Sequence, residues 1–364
     1  ELAVDEREVT NLRQALRSGL STRHFGEAVR LEVVNTCPPE LSQFLLQQFA
    51  LPEAALYRVH GPVNLVRLAQ LIDQASEAND TPQLRFAPFE PAWPGKRLAR
   101  ERSVFEALRE GGDVLLHHPF ESFEPVVAFL REAVHDPQVL AIAQTIYRTG
   151  ADSVLMELLL EAARRGKEVM VVVELQARFD EEANINWAEQ LEAVGAQVVY
   201  GIVGLKTHAK LLLVTRQEGA ALRRYVHLST GNYNPRTARL YTDVGVLSAD
   251  AALCDDALAV FHQLASQART RRPQRLVTAP FSLHRRLVQH IEQVAEAARA
   301  GKPARIAAKF NALTDAGLID ALQAAGRAGA KIDLIVRCAC LLRPGAAGAP
   351  DNIRVRSLAG RFLE

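Results

Sequence analysis

One stretch of the chain occurs twice, and this duplication narrows the available folds more than any other feature. The segments 152-DSVLMELLLEAARRGKEVMVVVE-174 and 315-DAGLIDALQAAGRAGAKIDLIVR-337 each read as a helix, a glycine C-cap (Gly166, Gly329) and an apolar strand, at one constant offset of 163 residues. Such units build sheets covered by helices, so the sequence predicts an α/β fold with two related halves facing each other across one cleft. The strand-end residues Glu174 and Arg337 occupy matched positions but differ in charge, where a ligand would lie. The second copy stops before a counterpart of His208 is reached.

The rest of the pattern fits around that repeat. From about residue 105, short apolar runs alternate with amphipathic segments: 113-DVLLHH-118, a helix near 123–135, 139-VLAIAQTIYR-148, a helix near 152–165, and 168-EVMVVVE-174. This alternation predicts a βαβ layout, with active groups collected at strand ends. Further strands are expected at 196–201, 208–214, 224–229 and 244–249, then a helix near 251–268 and a linker at 270-TRRPQR-275. Residues 1–104 mix helical periodicity with a proline-rich exit, 87-APFEPAWPGKR-97, and read as a separate α+β domain. The expected domains are therefore 1–104, 105–272 and 273–364, the last one truncated.

Charge and composition exclude several function classes. With 43 basic against 42 acidic side chains there is no global field to gather nucleic acid or membrane, so any anion site must be local. Cys37, Cys254, Cys338 and Cys340 match neither a disulfide framework nor a zinc ribbon and read as small buried residues in a reducing, cytoplasmic setting. No apolar run approaches the ~18 residues of a spanning helix, and the amino end lacks the layout of a signal peptide. The first residue is Glu rather than Met, so the chain reads as a piece of something longer.

The candidate chemistry begins at 204-GLKTHAKLLLV-214. On a strand, His208 and Lys210 would share a face. There a neutral imidazole can attack phosphorus while the ammonium steadies the anionic oxygens; alone, the pair better describes a polar strand edge, and its company reverses that preference. The run 227-HLSTGNYNPRTARLYTD-243 is long and polar for a mere connection. Ser229, Thr230, Asn232 and Asn234 supply donors there, and Arg236 and Arg239 supply charge. Tyr241 suits either a stacked base or the core, and His227 either a second acid or base or a structural histidine. Arg148 and Arg178 fall at strand ends, where guanidinium groups match phosphate oxygens. Asp180, Glu181 and Glu182 read as favourable helix-start charge. No G-x-x-x-x-G-K-[ST], G-x-G-x-x-G or H-E-x-x-H motif is present, so phosphate contacts must come from discrete side chains.

Together, 115-LLHHPFESF-123, 144-QTIYRTG-150, 173-VELQARFDEEANI-185, 204-GLKTHAK-210 and 230-TGNYNPRTARLYTD-243 resemble the long-form polyphosphate kinase family. The likeness continues in order through 305-RIAAKFNAL-313, 331-KIDLIVR-337 and 352-NIRVRSLAGRFLE-364. The resemblance implies duplicated phospholipase D-like catalytic domains behind a middle domain. It implies that His208 takes the γ-phosphate of ATP as a phosphohistidine and passes it reversibly to inorganic polyphosphate. Lys210 and His227 would assist, Tyr241 and Arg337 would bind nucleotide, and Asn232 and Arg239 would add phosphate contacts. Arg148 and Arg178 match a magnesium and phosphate site; a guanidinium cannot ligate a cation, so they would hold oxygens that in turn hold Mg²⁺. The family carries an N-terminal helical domain ahead of residue 1 and a second essential histidine just past GRFLE, and the intact protein is expected to be a homo-oligomer. Two other readings stay open: a phospholipase D-like phosphodiesterase or nuclease using the same histidine, or a fragment that only binds polyphosphate or nucleotide.

Overall fold

In the computed structural model the repeat is realised as two sheets, each with its own helices. Residues 28–77, 82–150, 152–177, 180–202, 204–266, 273–346, 348, 350–358 and 360–363 are described. They fall into two units divided between Phe89 and Glu90. The smaller unit holds β1 (Leu31–Val34), α1 (Pro39–Gln48), β2 (Leu56–Val59) and α2 (Leu68–Glu77), with β1 and β2 parallel. Residues 1–27 of the expected α+β domain lie outside the described residues.

The larger unit opens with α3 (Val104–Gly111), β3 (Val114–His118), α4 (Glu124–His135), β4 (Val139–Ile146), α5 (Val154–Arg164) and β5 (Glu168–Val173). It continues with α6 (Glu181–Ala193), β6 (Gln197–Val199), β7 (Lys210–Glu218), β8 (Ala221–Ser229), β9 (Asp243–Ser248) and α7 (Ala251–Ser266). The second copy supplies α8 (Leu283–Arg299), β10 (Arg305–Phe310), α9 (Ala316–Arg327), β11 (Lys331–Val336) and β12 (Ile353–Arg356).

Pattern dictates these elements. In α4, Val126, Val127, Phe129, Leu130, Ala133 and Val134 recur at helical spacing and are all buried, while Pro125 in the first turn has no N–H to waste. The run Val171–Val173 of β5 is fully enclosed, as an interior strand requires. Helices α5 and α9 start on caps, with Ser153 accepting from Met156 N and Asp315 accepting from Leu318 N. Both stop near a glycine at positive φ, Gly166 (81°) and Gly329 (102°), which only a residue without Cβ adopts cheaply.

The first sheet runs β3-β9-β8-β7-β4-β5-β6. Only β4, β5 and β6 are parallel, and β7, β8, β9 and β3 complete the sheet in antiparallel register. The expected βαβ alternation therefore holds over 139–199 and then gives way to a meander, because no crossover helix separates the later strands. On one face, Phe105 of α3, Phe129 of α4 and Tyr225 of β8 stack together. On the other, α7 packs Cys254, Ala257 and Phe261 against Leu211, Leu213 and Val226. The second sheet, β10-β11-β12, is wholly parallel.

All four cysteines are free, and Cys254 alone is fully buried; Cys338, contrary to expectation, is exposed. Among the described residues no helix is long and apolar enough to cross a membrane.

Candidate active site

Strand direction brings the chemistry to one edge. The parallel strands β4 and β5 end there with Arg148 and Glu174 just beyond. Because β7 and β9 run the other way, they begin at that edge with Lys210 and Asp243, while β8 and β3 end on it with Ser229 and His118. Register sets Lys210 beside Ser229 and Ser229 beside Gly245, with His118 opposite Asp243 one step further out. Facing residues of antiparallel strands share a side of the sheet, so these groups crowd one surface.

His208 is not part of the strand. The ladder begins at Lys210, and His208 lies exposed in the preceding loop, so the expected same-face pairing is replaced by a tighter arrangement. Lys210 is buried and its Nζ turns back to donate to the His208 carbonyl at 2.6 Å. Thr145 Oγ1 donates to the Ala209 carbonyl at 2.7 Å, and the buried Thr207 N–H donates to Glu174 at 2.7 Å. The backbone around His208 is thus fixed on both sides. Its ring meets the Tyr147 ring edge-on at 4.5 Å, and neither ring nitrogen carries a hydrogen bond among the described residues.

Electrostatics keep that imidazole neutral. Partial burial, then the charges of Lys210 and Arg148, hold its pKa down at about 4 although part of the residue meets solvent. Burial lowers Lys210 to about 8; Asp243 opposes the shift and Arg148 adds to it. The Lys210 ammonium also lies over the Tyr147 ring at 5.0 Å. Near neutral pH the site presents an unprotonated ring beside a cation. That is the arrangement a phosphorus centre requires of an attacking nitrogen.

Arg148 is half-buried, its Nε is enclosed without a protein partner, and its guanidinium stands 5.4 Å from the Tyr147 ring. Burial pushes the Asp180 carboxyl up, with Arg148 close enough to offset part of the rise. Arg178 lies outside the described residues.

The polar loop departs from expectation in one respect. His227 lies within β8 and is fully enclosed, with Nδ1 3.0 Å from the Tyr233 hydroxyl and burial holding its pKa near 3. A ring sealed in this way does not exchange protons with a substrate, so of the two readings open to it the geometry favours the structural one. Asn232 has a buried, unpartnered Oδ1. Arg239 is exposed and pairs with Glu90 at 2.8 Å, a surface contact of little intrinsic strength.

Tyr241 is held from the second copy. The Arg337 guanidinium lies 4.8 Å over its ring and donates to Asn311, Lys309 Nζ donates to the Thr242 hydroxyl at 2.8 Å, and Leu363 N donates to the Leu240 carbonyl at 2.8 Å. Asn311 and Arg337 follow β10 and β11, so the carboxyl ends of the second sheet meet the first at this tyrosine.

Sequence reasoning passed over Asp243, Tyr147, Thr145 and Lys309. Asp243 and Tyr147 lie inside motifs singled out above, but spacing alone does not show that β9 delivers a carboxylate opposite His118 or that β4 delivers a ring to His208.

The chain matches the polyphosphate kinase middle domain over residues 1–71, C-terminal domain 1 over 103–270 and C-terminal domain 2 over 276–364. It belongs to the polyphosphate kinase family. A polyphosphate kinase from Burkholderia multivorans is 55% identical over 368 residues, covering 100% of this chain and 53% of that protein. One from Pseudomonas aeruginosa is 51% identical over 364 residues, covering 52% of its length. The chain thus spans about half the length of the curated relatives it matches. The crystal structure of polyphosphate kinase from Porphyromonas gingivalis superposes with a TM-score of 0.81 at 32% identity, covering 92% of this chain and 50% of that one. The fold of both sheets is thus that of a polyphosphate kinase.

Proposed function

We propose that this chain carries the phosphotransfer centre of a polyphosphate kinase, with ATP and inorganic polyphosphate as substrates and His208 as the phosphoacceptor. The observation that carries the reading is a neutral, unbonded imidazole with Lys210 and Arg148 close enough to depress its pKa. In the forward direction a ring nitrogen of His208 attacks the γ-phosphorus. A nitrogen–phosphorus bond forms, the bond to the β,γ-bridging oxygen breaks, and ADP leaves with that electron pair. The terminal oxygen of polyphosphate then attacks the same phosphorus, breaks the nitrogen–phosphorus bond and restores the neutral ring. Both steps exchange a phosphoanhydride P–O bond and an N–P bond at the same phosphorus, so each can run backwards and the cycle is reversible.

Arg148, with Arg178 in the same role, holds the oxygens of the transferred group, and Lys210 offsets their charge. Tyr241 and Arg337 receive the nucleotide, while Asn232 and Arg239 steady the phosphate chain. Among the described residues no cluster of His, Cys, Asp and Glu side chains could hold a metal ion, and arginine offers donors only, so Mg²⁺ would be held through the phosphate oxygens that Arg148 and Arg178 bind and would offset their charge.

Incubating the encoded protein with γ-labelled ATP should give an acid-labile, base-stable protein label that His208→Ala abolishes. Label retained in that variant, or diester hydrolysis without nucleotide, would overturn the proposal.

A further inference from the structure

His208 lies in a segment that no ladder organises, since residues 204–209 belong to no strand. Downstream, the Ala209 carbonyl and Leu211 N–H are both bonded to Thr145 Oγ1, at 2.7 and 3.0 Å, and β7 follows at once. Upstream, the neighbouring peptide is anchored by Glu174, whose Oε2 accepts from Thr207 N at 2.7 Å. Glu174 is itself immobilised. It is 7% exposed, Oε1 accepts from Gln176 N at 2.9 Å, and its own N–H donates to the Ile146 carbonyl at 2.9 Å. Asn184, fully buried, donates through Nδ2 to the carbonyls of both Glu174 and Tyr147 at 2.8 Å. A continuous run of hydrogen bonds thus joins the Tyr147–Arg148 strand end to the backbone that presents His208.

A carboxylate fits this place for a chemical reason. Both backbone partners of its oxygens are donors, so the side chain must offer two acceptors. Charge-assisted bonds of this kind are short and stiff. An amide would turn an NH₂ group towards one of the two N–H donors.

We propose that Glu174 is a positioning residue for His208: it fixes the distance between the attacking ring and the Arg148 guanidinium without touching substrate. This rests on reading His208 as the phosphoacceptor. The matched position in the second copy, Arg337, is half-buried and lies over the Tyr241 ring instead.

The test compares wild type, His208→Ala, Glu174→Gln and Glu174→Ala in the protein as encoded. Rapid-quench labelling from γ-labelled ATP, equilibrium nucleotide binding and amide exchange over 204–209 are measured. Glu174→Ala should slow labelling by about 10²-fold and Glu174→Gln by less, with nucleotide affinity within about two-fold, because misplacement by about an ångström penalises transfer far more than binding. Exchange at the Thr207 amide should rise in both variants. A variant that failed only in folding would lose binding and labelling together; should Glu174→Ala not fold, Glu174→Gln and Glu174→Asp carry the comparison. Unchanged labelling, or slowed labelling with unchanged Thr207 protection, overturns the proposal. Absence of any label on wild type, or label retained in His208→Ala, refutes the phosphoacceptor reading instead. Loss of Thr207 protection in the Glu174 variants would still establish the anchoring contact in that case.

Discussion

At the scale of single residues, the proposed site sets the His208 ring near two cations, Lys210 and Arg148. The free-enzyme kcat/KM for His208 phosphorylation should rise as pH passes about 4, where the ring loses its proton, and fall as it passes about 8, where Lys210 loses its own. Lys210→Met should remove the alkaline limb, and the profile measured by rapid quench decides this. Arg148→Ala should lower the same constant by at least about 10³-fold, as expected of a guanidinium on a transferred phosphoryl. The identity of His208 was legible in the sequence because H-x-K keeps both groups within three positions. Glu174 and Asp243 were not, since their importance depends on which strands become neighbours.

At the scale of elements, Gly245 shows how closely β8 and β9 are matched. A Cβ there would meet His227 Nε2 at 2.8 Å, so Gly245→Ala must displace a fully buried ring, at a cost of about 1–3 kcal/mol by urea denaturation. His227 also sets an acid limit on stability. Its folded pKa lies below its unfolded value, so the unfolded chain binds the extra proton: stability is complete above about 6.5 and is lost as pH falls towards 3. Urea midpoints at pH 7 and pH 5 should differ in that direction, and less so in His227→Gln. The helix–strand repeat was readable because capping, apolar periodicity and glycine signals agree in both copies. The antiparallel half was not, because a strand's own residues carry no mark of its neighbours' direction, and β7 begins at Lys210 rather than at His208 as expected.

At the scale of the whole larger unit, the two copies meet at the segment Leu240–Thr242. Arg337→Ala should weaken nucleotide binding about 10- to 100-fold, the value of one or two charge-assisted bonds, with His208 labelling at saturating ATP much less affected. Lys309→Ala should instead raise amide exchange over 240–242, since its ammonium bonds the Thr242 hydroxyl. That two related units would be present was foreseeable from the duplication; that they would touch at Tyr241 was not, because no local pattern encodes contacts so far apart in the chain.

The duplicated strand end has one more implication. Glu174 and Arg337 descend from equivalent positions, yet one is spent on the internal order of the chain and the other reaches across the seam. A substitution at Arg337 therefore alters the seam at Tyr241 and leaves the hydrogen bonds around Thr207 in place, so the two strand ends vary independently of each other.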